Sequence, residues 1–586
     1  NLIGSAASFY FFRDYLGFKK GYYLNNEFKM RKRGIYMRKS IIKHSLLSVG
    51  ILGIGLLLTA CGTKSSTQTS NKLAAKQQIG LSTTAEITSL DLSKIYDKTS
   101  FIQIDETFEG LYRYDANGNV EPALATKTEI SKDGKTYTIN IRHNAKWSNG
   151  DPVTASDFVY SWQRAVNPKT ASQYTYLFDN VKNAPAIVNG KLSPSKLGVK
   201  AVGKYQLKVQ LSRPTTYFKM VMARETLYPL DKKVVEKYGK KYGTSAKYTV
   251  YNGPFKNVGW TGTNDSWKLI KNNQYWDKKA VKLSQINYTV AKSPSTAYNL
   301  FQSGKLDLIS LVGEQAKQLG NNKDAVKRPL AATEYLQYNQ RNGVFKNRNL
   351  RLAFSLALNR NQLINKVMQN GSIASKGFVP LDFAKNPKTG KDFADEAFVP
   401  GTVDYDATKA KQYYKKALSQ LGKKNLTVKL LSADDDQTKD VIEFIQSELQ
   451  QTLPGLKVES NSIPFASMLA RASSGNFEVN FTGWSADFAD PISFLSQFTS
   501  NNPENNGKWN NQKFDQAIKN SNNKDANNPT KRWQDLINAE KILASDQGIT
   551  PIYQPNGIDL VNPKLKGVVY DRINGHYDYR TAYLTK

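Results

Sequence analysis

The sequence predicts a protein of the α/β class, and three observations lead to this prediction. Between residues 406 and 458, hydrophobic periodicity and helix-end signals alternate as helix, strand, helix and strand. Residues 135–141 and 205–211 instead alternate apolar and polar side chains, which is typical of half-buried strands. Asn-Gly and Asp-Gly dipeptides, which favour tight turns, separate such segments. These dipeptides are Asn117-Gly118, Asp133-Gly134 and Asn149-Gly150.

The alternating stretch is defined by local signals at its ends. Its elements are a helix at 406–421, a strand at 426–431, a helix at 438–453 and a strand from 456 to 458. The first helix begins at Asp406, a favoured N-cap residue, and Gly422 follows its end. Pro454 stops the second helix. Because strands joined through a helix usually lie parallel, this order predicts parallel pairing.

The composition excludes several classes of function. The chain has 586 residues, 40% of them hydrophobic, which suffices for about two or three domains with a large core. Its single cysteine, Cys61, excludes intrachain disulfides and cysteine-based metal clusters. Of the histidines, His44 lies in a segment predicted below to be removed, and the scattered His143 and His576 are expected to be ordinary surface or core residues. We therefore expect no metal site, no cofactor and no catalytic residues. An exported hydrolase, the enzyme alternative, also lacks its usual Gly-x-Ser-x-Gly and His-Glu-x-x-His motifs here.

The first 60 residues are predicted to be absent from the mature protein. Residues 1–36 mix aromatic and charged side chains unlike the start of an exported protein, so we interpret them as translated from upstream of the true start. From Met37, a basic head precedes an apolar run at 46–57 and then Leu58-Thr59-Ala60-Cys61. This pattern is typical of a secretory signal peptide, here residues 37–60. The run is shorter than the ~20 apolar residues that span a bilayer, which disfavours a retained transmembrane anchor.

Leu-Thr-Ala-Cys resembles a bacterial lipobox, in which the cysteine is diacylglycerylated and becomes the new N-terminus. The resemblance implies that lipid on Cys61 anchors the protein to the extracellular face of the cell membrane. The alternative for Cys61 is a buried core thiol. Residues 61–79, rich in Ser, Thr, Lys and Gln, predict a flexible tether.

The basic charge of the chain raises a question of partners. A formal charge of +33 raises the question of nucleic acid, but an exported protein does not meet nucleic acid in the cell, so we expect no such partner. Without residues 1–60, 72 Lys and Arg still stand against 47 Asp and Glu. Such a surface attracts anionic lipids and the polyanions of a Gram-positive wall, so a basic cell-surface adhesin is an alternative function. The other interpretation of the charge is a solvated face that keeps the protein soluble. Adhesin binding would weaken as the salt concentration rises, and it would not need Asp487, the candidate ligand-binding residue described next.

The stretch from Gly483 to Pro491 carries groups that a buried binding site needs. It contains a glycine, Trp484 and two carboxylates. Asp490 directly precedes Pro491 and a helix-like run, and is therefore predicted to be an N-cap. Asp487 lies in irregular backbone, where its carboxylate is available to an ammonium group. The alternatives for Asp487 are a surface acid or a local turn bond.

Several motifs, in order along the chain, resemble those of the family 5 extracellular solute-binding proteins of peptide ABC importers. The resemblance covers essentially all of residues 80–586. The motifs are Phe108–Leu111, Arg142–Arg164, Asn167–Ser172, Asn252–Phe255 with Trp260, Asn349–Arg360 and Gly483–Pro491.

The resemblance implies a two-lobed, periplasmic-binding-protein-like fold of the large peptide-binding type, with an extra domain inserted in the first lobe. The first lobe would comprise residues 80–124, 246–335 and 556–586. The additional domain would span 125–245, and the second lobe 336–555. A ligand would be enclosed between the lobes.

The resemblance also assigns the binding residues. Asp487 would pair with the α-amino group of a peptide, and Trp484 would line a pocket or serve the core. Two segments would bond the peptide main chain like an added strand. They are Gly483, Trp484 and Ser485, and Glu109, Gly110 and Leu111. Some relatives carry an arginine at the position of Phe481, which leaves the anchor of the ligand carboxylate open, and a cysteine at the position of Ser485.

Other motif residues are expected to be structural. Trp147, Phe158 and Trp162 are predicted core residues, and Asn149-Gly150 is a predicted turn. Thr154 or Ser156 is expected to cap the helix that begins near Asp157, and Arg351 and Arg360 to form ion pairs along a helix.

The function implied by the resemblance is capture of extracellular oligopeptides and their delivery to the permease and ATPase subunits of an ABC importer. We expect a monomer. The chain has no Gly-x-x-x-x-Gly-Lys-Ser/Thr loop, so the ATPase would be a separate protein. Within the same family, binders of signalling peptides, metal chelates, haem or sugars are alternatives.

Overall fold

The computed structural model describes residues 72–341, 343–573 and 575–586. The predicted upstream extension, the signal peptide, Cys61 and most of the predicted tether lie outside the described residues. Within the described ranges, the helices are all too short or too polar to cross a membrane.

The strands and helices are numbered here in chain order. The strands are β1 Gln78–Thr83, β2 Tyr112–Tyr114, β3 Val120–Pro122, β4 Ala125–Ile130, β5 Thr136–Ile141, β6 Val199–Ala201, β7 Gln206–Gln210, β8 Phe255–Val258, β9 Ser266–Lys271, β10 Gln285–Val290, β11 Leu308–Leu311, β12 Ala325–Pro329, β13 Ala332–Tyr338, β14 Ile373–Ala374, β15 Leu426–Ala433, β16 Leu456–Ile463, β17 Val479–Ser485, β18 Ile549–Gln554, β19 Asn556–Val561, β20 Leu565–Lys566, β21 Val569–Asp571, β22 His576–Asp578 and β23 Tyr583–Leu584. The α-helices are α1 Lys98–Thr107, α2 Ala155–Ala165, α3 Ala184–Val188, α4 Phe218–Val221, α5 Lys232–Tyr238, α6 Pro294–Gln302, α7 Gly313–Leu319, α8 Arg348–Leu356, α9 Arg360–Gln362, α10 Phe393–Ala397, α11 Ala407–Leu421, α12 Asp436–Thr452, α13 Phe465–Ser474, α14 Ile492–Leu495, α15 Gln512–Asn522 and α16 Pro529–Ser545.

The largest sheet in the described part of the chain has seven strands, in the order β12-β19-β11-β1-β10-β9-β8. β1 is parallel to β10 and β11, and the other neighbours are antiparallel. These strands come from residues 78–83, 255–329 and 556–561. The chain therefore leaves this sheet and returns to it, as a lobe built from separate segments requires.

A second, antiparallel sheet has the order β4-β5-β7-β6 and lies within residues 125–210. Its strands β5 and β7 confirm the two predicted half-buried strands. Tyr137 and Ile139 stand opposite Val209 and Leu207, and all four side chains are buried. The alternation in the sequence therefore arises because one face of this sheet packs on the core.

The third sheet has the order β14-β18-β13-β17-β15-β16 and takes its strands from residues 332–554. The predicted helix–strand–helix–strand order is confirmed here as α11, β15, α12 and β16, and β15 and β16 are parallel over their full length. The Asp406 carboxylate accepts the Lys409 N–H at 2.9 Å as the cap of α11, and Gly422 ends the helix in the left-handed region with φ +63°. The α/β class is therefore confirmed.

Several motif residues are structural, as predicted. Trp147, Phe158 and Trp162 are fully buried. Thr154 caps α2 in a capping box with Asp157, which decides between the two predicted caps.

The prediction of helical ion pairs for Arg351 and Arg360 is wrong. Arg360 is buried and donates to the carbonyl oxygens of Ser355, Leu358, Val403 and Pro551 and to the Ser355 hydroxyl. Arg351 also donates mainly to backbone carbonyls, with Asp546 Oδ2 at 3.5 Å as its one carboxylate contact among the described residues. Both guanidinium groups therefore satisfy buried backbone acceptors that helices and loops leave unpaired.

Candidate functional site

The edge of β17 forms the backbone of the candidate site. β17 pairs with β13 from Val479 to Ser485 but with β15 only at Val479 and Asn480. The Ala486 N–H donates to Ala331 O at 2.8 Å, and antiparallel bonds alternate along a strand. By this alternation the N–H and C=O groups of Gly483 and Ser485 point away from β13. They lie on the side of β17 where β15 pairs only with Val479 and Asn480. Both residues are half-buried, so an extended chain has an edge on which to add.

Gly483 is required by its neighbour across the strand pair. It lies opposite Glu334 of β13, and a Cβ atom at position 483 would run into the Glu334 carboxyl group. Glu334 is 5% exposed, and burial, with the charge of Asp435 as a second cause, raises its pKa to about 8. The sequence motifs did not single out Glu334. The feature of the sequence that could have identified Glu334 is an acidic residue within β13, a strand whose residues are all buried.

Trp484 packs into the hydrophobic core at the end of β17. It is buried, and its indole N–H donates to Ser493 O at 2.8 Å. Ser493 also accepts the Asp487 backbone N–H on its hydroxyl, at 2.8 Å. The tryptophan and this serine therefore fix the loop that follows β17. The core role considered for Trp484 fits this burial, and its contact with a peptide stays a prediction.

Asp487 lies in that loop, in irregular backbone as expected. It is half-buried, and its Oδ1 accepts a hydrogen bond from the Tyr176 hydroxyl at 3.1 Å. Tyr176 belongs to the short 3₁₀ turn Thr175–Phe178, within the range predicted for the additional domain. Burial, with the charge of Asp487 as a second cause, raises the pKa of Glu504 to about 7. A second carboxyl group therefore lies close to Asp487, and neither it nor Tyr176 was found from the motif.

Asp490 has a larger role than the predicted N-cap. It accepts the Ile492 N–H at 3.0 Å, but the helix begins at Ile492 and its cap position is Pro491, one residue later than predicted. Its carboxylate also binds both terminal nitrogens of Arg532 at 2.8 Å, and both side chains are buried. Because a two-point contact of this kind fixes orientation, the pair ties the loop to α16.

The segment Glu109 to Leu111 is engaged within the protein. The Glu109 N–H and C=O both bond the Asn252 side chain, at 3.0 and 2.9 Å. The Gly110 and Leu111 carbonyls accept backbone N–H groups from residues 123–125. Gly110 is needed here, since a Cβ atom would meet the Tyr228 ring. The contact of this segment with a peptide main chain stays a prediction, and its carbonyl groups already have partners.

The Glu109 side chain is likewise a structural centre. Its carboxylate accepts bonds from Arg113 at 2.9 Å, Tyr275 at 2.6 Å and Trp276 at 2.5 Å. Burial raises the pKa of Glu109, and the charge of Arg113 opposes the rise. These contacts give the acidic residue of the Phe-Glu-Gly-Leu motif a structural explanation.

Asp105, Glu225 and His576 are the side chains in the described part of the chain that come together with metal-ligand chemistry. One ligand atom from each lies within 4.8 Å of the others. Arg224 Nε lies 3.3 Å from Glu225 Oε2, so the protein already supplies a cation to this cluster. Burial raises the pKa of both carboxyl groups to about 7 and lowers the pKa of His576. His576 is thus a buried core histidine, whereas His143 is exposed and stacks on Tyr205.

Comparisons with known proteins agree with this geometry. A family model described as "Bacterial extracellular solute-binding proteins, family 5 Middle" matches residues 119–506. The dipeptide-binding protein of Lactococcus lactis subsp. cremoris (strain MG1363) is 38% identical over 556 residues, which cover 92% of this chain and 98% of the relative. The oligopeptide-binding protein OppA of Bacillus subtilis (strain 168) is 34% identical over 544 residues, with 90% and 97% covered.

Solved structures show the same similarity. The structure of Listeria monocytogenes OppA bound to peptide has a TM-score of 0.71 at 38% identity and covers 88% of this chain and 100% of that one. The structure of the pheromone receptor PrgZ has a TM-score of 0.71 at 39% identity, with 87% and 100% covered. The fold is therefore the two-lobed, periplasmic-binding-protein-like fold of the large peptide-binding type, with an extra domain in the first lobe. The chain belongs to family 5 of the bacterial extracellular solute-binding proteins.

Proposed function

We propose that this protein captures oligopeptides in an extended conformation along the edge of β17 and delivers them to an ABC importer. The observation that carries the proposal is the edge at Gly483 and Ser485, which β15 leaves unpaired beside Asp487. The relatives named as dipeptide- and oligopeptide-binding proteins, and the structure of a relative with bound peptide, support it.

Recognition uses the groups that all peptides share. Peptide N–H and C=O groups that leave water must find new hydrogen bonds, and the edge of β17 offers both donors and acceptors. The Asp487 carboxylate receives the α-ammonium group, and the Tyr176 hydroxyl holds that carboxylate in place. Affinity obtained in this way does not depend on the side chains, so many sequences are accepted.

The protein performs no chemistry on its ligand in this proposal. The importer's separate permease and ATPase subunits supply transport and energy. We further propose that the mature chain is a monomer, begins at Cys61 and is held by lipid at the extracellular face of the membrane. The signal-peptide and lipobox patterns of residues 37–61 support this location.

Native mass spectrometry tests the function directly. The chain from Gly62 to Lys586, which retains every described helix and strand, would be purified from cells without refolding, and anything released on denaturation would be sequenced. A set of peptides of mixed sequence is the expected result. A single peptide species would indicate a signalling receptor. An empty protein that then ignores a peptide library would overturn the proposal.

A further inference from the structure

We propose that this site favours peptides with a lysine or arginine side chain, which enters between Glu334 and Asp435. The inference rests on the peptide-binding function proposed above and deepens it, because it names the chemical class of the ligand. It concerns a side-chain subsite, separate from the main-chain edge and from Asp487.

Glu334 supplies the first carboxyl group. It is 5% exposed, and its buried Oε1 accepts no hydrogen bond. The carboxyl group lies directly against Gly483, in the space that any larger residue at position 483 would fill. Glu334 therefore places an acidic group beside Gly483, which belongs to the unpaired edge of β17.

Asp435 supplies the second carboxyl group. It follows the end of β15 and caps α12, where its Oδ1 accepts the Thr438 N–H at 2.8 Å. Its other oxygen, Oδ2, is buried and accepts no hydrogen bond. The charge of Asp435 contributes to the raised pKa of Glu334. Burial raises the pKa of Tyr553, and the charges of Glu334 and Asp435 both add to the rise. Each acid therefore has one oxygen without a donor, and they lie where β15 has separated from β17.

The pair has no basic partner in the part of the chain that the structure describes. None of the ion pairs formed by the described residues involves Glu334 or Asp435. The neighbours Asp434 and Asp436 add further acidic groups. This is notable in a chain with 82 Lys and Arg against 49 Asp and Glu. Because a buried carboxylate without a partner is costly, Glu334 holds a proton below about pH 8. A cation brought by the ligand pairs with the Glu334 carboxylate when that proton leaves to water.

A matched set of peptides tests the proposal. Alanine-based peptides with a free amino terminus would carry one lysine at successive positions, and a second series would carry norleucine, which keeps most of the stem without the charge. We expect one position at which lysine binds about tenfold more tightly than norleucine, measured by isothermal titration calorimetry. In Glu334→Gln and Asp435→Asn the ratio at that position should fall towards one, while the norleucine peptide keeps its affinity.

The control is Glu540→Gln. Glu540 is also buried with one oxygen that accepts no bond, but its other oxygen accepts the Phe378 N–H, and it should leave the lysine preference intact. Equal binding of the two series at every position in the wild type would overturn the inference and leave the proposed function standing. A preference that survives in both Glu334→Gln and Asp435→Asn would also overturn it. Failure to bind either series would overturn the proposed function, and the inference with it.

Discussion

The Tyr176 hydroxyl donates a hydrogen bond to Asp487 Oδ1 at 3.1 Å, although the two residues are 311 positions apart in the chain. The bond joins the 3₁₀ turn Thr175–Phe178 to the loop after β17. A carboxylate held in this way is oriented before a ligand arrives, which lowers the ordering cost of binding.

We predict that Asp487→Asn weakens the binding of peptides with a free amino terminus by about 10- to 100-fold, because the ammonium group loses a charged acceptor. N-acetylated peptides should bind the wild type and the variant alike. Isothermal titration calorimetry with each peptide in both forms checks this. Equal affinity of the wild type and the variant for free-amine peptides would refute the amine anchor.

Tyr176→Phe should have a smaller effect of the same kind. The variant keeps the ring and loses the hydroxyl donor, so free-amine peptides should bind a few-fold more weakly, in line with about 1 kcal/mol for a hydrogen bond. The double variant with Asp487→Asn should show no additional loss. Additive losses would mean that Tyr176 acts on the ligand independently of Asp487.

Gly483→Ala should destabilise the protein by about 1–3 kcal/mol and reduce peptide binding, because the new methyl group meets the Glu334 carboxyl group. Denaturant titration and peptide titration measure the two effects. Adding Glu334→Ala should recover most of the stability, since it removes the obstructing group. Ser485→Ala, on the same strand, serves as the control and should unfold like the wild type.

The pair Asp490 and Arg532 gives a third test of the loop. Arg532→Met leaves Asp490 buried and unpaired and should cost about 3–5 kcal/mol of unfolding free energy. The double variant with Asp490→Asn should cost less than the sum of the single changes. The exposed pair Lys457 and Glu459 offers a contrast, since water already solvates both charges and Lys457→Met should change the unfolding free energy far less than Arg532→Met. Equal effects at both pairs would contradict the structural role assigned to Asp490.

The features that the sequence predicted well are those encoded within a few residues. Asp406 and Gly422 bound α11, and the alternation around Tyr137 marks β5, because capping and periodicity are local. The family motif likewise located Asp487 within its loop.

The features that the sequence did not reveal depend on residues far apart in the chain. Arg360 was expected to form an ion pair, but its acceptors include Pro551 O, 191 positions away. Glu334 meets Gly483 only through the pairing of β13 with β17. Because a fully buried strand has no apolar–polar alternation, nothing in the local pattern shows which neighbour its acidic residue contacts.

Cys61→Ser tests the predicted anchor. The substitution removes the thiol that the lipobox resemblance marks for lipidation, so the protein should move from the membrane fraction to the medium. Cell fractionation with immunodetection measures this. Retention of the variant in the membrane fraction would favour an uncleaved hydrophobic helix instead.

The buried Glu334 predicts a pH dependence of stability. Its pKa is about 8 in the folded protein, against 4.5 for an ordinary glutamate. Between these values the native protein holds a proton that the unfolded chain has released, so the contribution of Glu334 to stability falls as pH rises. The slope should approach about 1.4 kcal/mol per pH unit within this window and vanish above it.

The difference in unfolding free energy between the wild type and Glu334→Gln isolates this contribution, because other buried acids with raised pKa values titrate equally in both proteins. Glu540 is such an acid, with a pKa raised to about 7 by burial. We expect the wild type to lose stability relative to Glu334→Gln as pH rises from about 5 to 8, measured by denaturant titration. If a lysine-containing peptide occupies the subsite, the cation favours the ionised carboxylate, so saturation with that peptide should shift the window to lower pH. A difference between the two proteins that does not change with pH would show that Glu334 is ionised in the folded protein throughout this range.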